Sequence, residues 1–104
     1  MAWFYLIVAG LLETGWAAGL KLMSSRGSAV LIVVTVAAMG GSLLALYVAM
    51  ARLPLGVAYP IWTGIGSVGS VLVGLIFFGQ TIGPAGVAGV AFLLLGMALL
   101  GVDT

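Results

Sequence analysis

Residues 2–20, AWFYLIVAGLLETGWAAGL, form an apolar run long enough to cross a bilayer, and one carboxylate, Glu13, lies inside it. A helix needs about 20 apolar residues to span a hydrocarbon core about 30 Å thick. A charged side chain at that depth costs several kcal/mol unless it is protonated, paired or facing water. Glu13 is the only glutamate in the chain, and it is by default a functional residue.

Working outward, 64% of the 104 residues are hydrophobic and 5% are charged, against roughly 25% charged in a soluble domain. The expected class is an all-α integral membrane protein. The length accommodates about four spans of about 20 residues joined by minimal loops, so residues 1–104 are expected to form a single transmembrane domain. No basic segment precedes the first apolar run and no small-residue cleavage pattern ends it, so it is expected to be a retained span rather than a signal peptide. The absence of cysteine and histidine excludes disulfides, thiol chemistry and the usual haem and zinc sites. No metal or cofactor is expected. A net charge of +1 offers no basic patch for nucleic acid.

Breakers divide the chain into helices at about residues 3–22, 28–50, 55–78 and 84–100. The first ends in Lys21-Leu22-Met23-Ser24-Ser25-Arg26-Gly27. Ser28 is suited to cap the second, Ala51-Arg52-Leu53-Pro54 closes it, and Pro84 is suited to the first turn of the fourth. The strict alternation of a β-barrel strand is missing. Arg52 lies on the same side as both termini, with Lys21 and Arg26 opposite. A bias of two basic residues against one gives the positive-inside rule little to act on. Insertion in one orientation and insertion in both stay open, and two oppositely inserted copies could pair as an antiparallel dimer.

On the first helix, Gly10, Glu13, Trp16, Ala17 and Leu20 share a face. The small neighbours leave space beside the acid, and Trp16 places an aromatic wall one turn away. Together they make a cation site that can hold a proton in one state and a cation in another. On the third helix, Tyr59, Trp62, Thr63 and Gly66 form a second stripe. Tyr59 can donate to a carboxylate and Trp62 can stack on a cation, although both also suit an interfacial aromatic belt. Gly64 and Gly66 mark either a hinge or a close helix contact. Ser42 on the second helix can bond Glu13 or return to its own helix's carbonyl. Gly89 and Gly96 lie on one face of the aliphatic fourth helix, the pattern of a helix–helix seam between subunits. Two copies would bring two Glu13 carboxylates to a shared cavity. A carboxylate that must shed its proton to hold a cation cannot carry both, and that competition couples proton entry to cation export.

The first-helix acid, the run Leu53-Pro54-Leu55-Gly56-Val57-Ala58-Tyr59, the run Ile61-Trp62-Thr63-Gly64-Ile65-Gly66 and the glycine-lined last helix together resemble the small multidrug resistance transporters over essentially the whole chain. Trp16 and Ala17 after Glu13, followed by Leu20-Lys21, with Ser42 and Trp62-Thr63-Gly64, are similar to that family's guanidinium-exporting subgroup. The resemblance implies a bacterial inner-membrane antiporter, built as an antiparallel, dual-topology homodimer. It implies that both Glu13 side chains exchange protons for guanidinium, that Trp16, Ser42, Tyr59 and Trp62 surround or orient them, and that Gly10 lines the site. It also implies bending of the third helix at Gly64 to Gly66 and a dimer seam along the last helices. Pro60 stands where such chains usually carry alanine, and it removes a backbone donor near Tyr59 and Trp62. Thr14-Gly15 replaces a bulkier apolar pair, adding space for larger cations. The competing expectations are export of bulkier quaternary ammonium cations, a paired heterodimeric transporter, and a non-transporting accessory subunit. No nucleophile–base pair or phosphate-binding loop suggests an enzyme.

Overall fold

The computed structural model describes residues 1–103, which form four helices: α1 (Ala2–Ser25), α2 (Ala29–Met50), α3 (Leu55–Phe77) and α4 (Pro84–Val102). Each is long and apolar enough to cross a membrane. α1 continues to Ser25, and the Arg26 N–H closes its last turn on the Leu22 carbonyl at 2.9 Å. The Ser24 and Ser25 hydroxyls donate back to the Lys21 and Leu22 carbonyls, at 2.6 and 3.1 Å. The Ser28 hydroxyl then accepts the Leu31 N–H at 3.3 Å and starts α2, the ordinary role of a serine N-cap.

Pro54 begins α3 from an extended conformation, with ψ of 150°, as expected of a residue that cannot donate to a preceding turn. At the other end Gly79 takes a φ of +67°, a left-handed conformation that costs glycine nothing. The reversal brings the Gln80 N–H to the Gly74 carbonyl at 3.0 Å. Pro84 opens α4 at its first turn, where its missing N–H is not needed.

α1 lies between α2 and α3, and α4 leans on α3. Small residues set these distances. A Cβ on Gly10 would stand 2.6 Å from Ile65 Cβ of α3, and one on Gly19 would overlap the Thr35 hydroxyl of α2. Such contacts substitute for hydrophobic driving force, which is absent between helices in lipid. The core is correspondingly small, centred on Leu6, Ala9, Ala49, Ala58 and Trp62. No described residue of α4 is buried. The whole measures 42 × 35 × 16 Å, a slab.

Candidate functional site

Three helices meet at a backbone carbonyl. Ser42 Oγ of α2 donates to the Ala9 carbonyl of α1 at 2.7 Å. Trp62 Nε1 of α3 donates both to that carbonyl at 3.2 Å and to Ser42 Oγ at 3.0 Å. Ser42 is fully buried and Trp62 is 6% exposed, so each bond replaces water that the membrane does not supply. Ser42 therefore takes neither of the partners its sequence position suggested: it reaches across to α1, but to a carbonyl rather than to Glu13.

Glu13 sits one turn further along α1 and faces α3. Its Oε1 is buried and has no hydrogen-bond partner among the described residues. The group lies directly over Gly66, since a Cβ there would overlap Oε1. The neighbouring Thr14 fills the corresponding gap at Gly69, and its hydroxyl donates back to the Gly10 carbonyl at 3.3 Å. The space expected beside the acid is thus filled at Thr14, and Gly15, two residues on, is exposed on the other face of α1, where a Cβ would meet nothing within 4 Å. Trp16 Nε1, one turn from Glu13 on the same stripe, is also buried without a partner among the described residues. A buried acceptor and a buried donor with no intramolecular use are unusual in a folded protein and call for a ligand, water or a second chain.

The two stripes therefore meet, but they divide the work differently from the sequence expectation. Gly10 packs against Ile65 rather than opening into a void. Trp62 points into the three-helix node, while Tyr59 stacks edge-on to it at 5.2 Å with 48% of its surface exposed. Pro60 lies within a continuous α3, and the Thr63 hydroxyl bonds the Tyr59 and Pro60 carbonyls, at 3.1 and 3.0 Å. Gly64 and Gly66 face opposite neighbours: Gly64 lies under Met97 of α4 and Gly66 under Glu13 of α1. A Cβ on Gly89 or Gly96 would meet nothing within 4 Å, and Gly96 lines a groove between α4 and the Pro60–Ser67 part of α3. A cleft of about 180 Å³ continues from Ala17 and Ala18 past Ser70 to Lys21 and Gln80, so the α1–α3 interface opens toward one end of the bundle.

Sequence reasoning missed two buried polar groups, of which the first belongs to this arrangement and the second, Thr35, packs against Gly19. The Ala9 carbonyl is the hub of the node, and no side chain announces a backbone acceptor. Thr35 is 3% exposed with its hydroxyl unpartnered among the described residues. A lone threonine in the aliphatic run of α2 was a usable signal for it.

The Small Multidrug Resistance protein family model matches residues 1–95. The chain belongs to the small multidrug resistance family. Among its relatives, a guanidinium exporter of Escherichia coli O6:H1 is 42% identical over 104 residues, covering 100% of this chain and 99% of the relative. The guanidinium exporter of Escherichia coli K12 is 41% identical over the same span. That of Yersinia pseudotuberculosis is 39% identical over 97 residues, 93% of each chain. Four apolar helices and this family membership make the protein a multi-pass component of the bacterial inner membrane. Membrane helices are solvated by lipid, which accounts for the small number of buried side chains, and among the described residues these concentrate at the α1–α2–α3 junction.

Proposed function

We propose that the protein exports guanidinium or small guanidinyl cations in exchange for protons, with Glu13 holding one or the other. The observation that carries this reading is the buried Glu13 Oε1 without a partner. A membrane-embedded carboxylate oxygen that no neighbouring group satisfies is suited to a proton and, once that leaves, to a cation. Guanidinium matches it well. Its planar fork bonds a carboxylate bidentately and its face stacks on indole, here Trp16 or Trp62. The names of the full-length relatives support the same substrate class.

The protein acts as a single four-helix domain that pairs with an oppositely inserted copy. Gly89 and Gly96 form the seam, on a helix with no buried described residue. α3 bends between Gly64 and Gly66 to expose Glu13 to one side and then the other. Trp16, Tyr59 and Trp62 frame the cation. Ser42 and Gly10 act from behind, fixing α1 so that the carboxylate stays in register with α3.

Proteoliposomes provide the test. An imposed guanidinium gradient should drive proton movement in the opposite direction, and Glu13→Gln should abolish it. Proton movement driven by tetraalkylammonium and not by guanidinium would favour a quaternary ammonium exporter. Absence of cation-driven proton flux with any of these would leave an accessory role.

A further inference from the structure

Gly66 stands in two relations at once: it belongs to the flexible glycine pair of α3, and it forms the floor beneath the Glu13 carboxyl group. A Cβ at this position would overlap Oε1 and stand 2.8 Å from Cγ, so the entire carboxyl end of the side chain occupies the volume that an alanine methyl would take. Gly64 faces a different helix. The Cβ there would meet Met97 of α4, at 2.6 Å from its sulfur. At Gly69 the obstacle is Thr14, immediately after Glu13 on α1. Glu13 and Thr14 therefore dock side by side into a notch cut by Gly66 and Gly69.

We propose that Gly66 is a positioning residue that seats the Glu13 carboxyl group against α3, with Thr14 in the Gly69 gap fixing the register. Only a hydrogen atom separates Gly66 Cα from the carboxyl oxygen, so the acid is held in a sheltered place on the helix that moves. Bending α3 at this point changes the floor under the carboxyl group, and loading the carboxyl group changes the space available to the bend. The seat thus links occupancy of the acid to the shape of α3 through direct contact. This function is separate from backbone flexibility, because a glycine needed only for bending has no requirement for a particular side chain opposite it.

The test is a double-mutant cycle that isolates the contact. Gly66→Ala should lower thermal stability in detergent when Glu13 is present and should cost much less in a Glu13→Ala background, where the methyl group has room. An equal loss in both backgrounds would overturn the proposal. This arm requires no transport and stands whether or not the exchange proposed above is correct. The functional arm rests on that exchange and measures guanidinium binding across pH. Gly66→Ala should displace the pH profile by about one unit, a tenfold change in the competition between proton and cation. Adding Glu13→Asp, whose carboxyl group is one methylene shorter, should bring the profile back toward that of Glu13→Asp alone. A profile unmoved by Gly66→Ala, or moved equally in the aspartate background, would contradict a seat and leave a hinge.

Discussion

Ser42 and Trp62 converge on the Ala9 carbonyl and leave the Glu13 carboxyl group to itself. Removing one donor from a buried node typically costs about 1 kcal/mol when the acceptor keeps another partner. Ser42→Ala is therefore expected to lower unfolding stability by about that much, since Trp62 Nε1 still reaches Ala9, and to weaken cation binding without abolishing it. Thermal denaturation and a binding isotherm on the same preparation check both. The acid itself calls for a pH dependence with a definite sign. In the exchange proposed above, proton and cation compete for one carboxylate, so lowering the pH should weaken guanidinium binding, by about tenfold per pH unit where one proton is displaced. Glu13 was legible in the sequence because an ion in an apolar span has few explanations. The partner of Ser42 was not, because its acceptor is a main-chain oxygen, identical at every position and selected only by how α1 and α2 pack.

At the scale of helices, Gly and Pro punctuation made the four spans legible. The end of α1 was less so, because Ser24 and Ser25 lie within the helix and bond its own carbonyls. The two faces of the Gly64–Gly66 segment were not legible either. Spacing marks a flexible or closely packed stretch, but only tertiary packing puts Gly64 under α4 and Gly66 under α1. Pro60 offers a direct test within α3. It denies the Gly56 carbonyl its helical N–H, and an interior proline costs a helix about 3 kcal/mol. Pro60→Ala should raise the melting temperature. If Pro60 also helps to keep Tyr59 and Trp62 in their edge-on pair, the substitution should alter cation affinity too. An unchanged or lower melting temperature would contradict that cost, since the Thr63 hydroxyl serves the Tyr59 and Pro60 carbonyls and not that of Gly56.

The whole molecule is a slab 16 Å thick, with α4 leaning on α3 and an acid at an interface between helices. One such layer cannot enclose a cation, and a second copy would supply the missing wall. Gly89→Ala and Gly96→Ala should leave the single-chain fold intact, because neither Cβ would meet an atom within 4 Å. Both should reduce the dimer population in crosslinking or energy-transfer measurements. Unchanged dimerisation would move the seam elsewhere. The most direct measurement is proton release from purified protein in weak buffer on addition of guanidinium, with Glu13→Gln alongside. The expected result is release that saturates with binding and disappears in the glutamine variant. Binding without release, or release that survives Glu13→Gln, would contradict a carboxylate shared in turn by proton and cation.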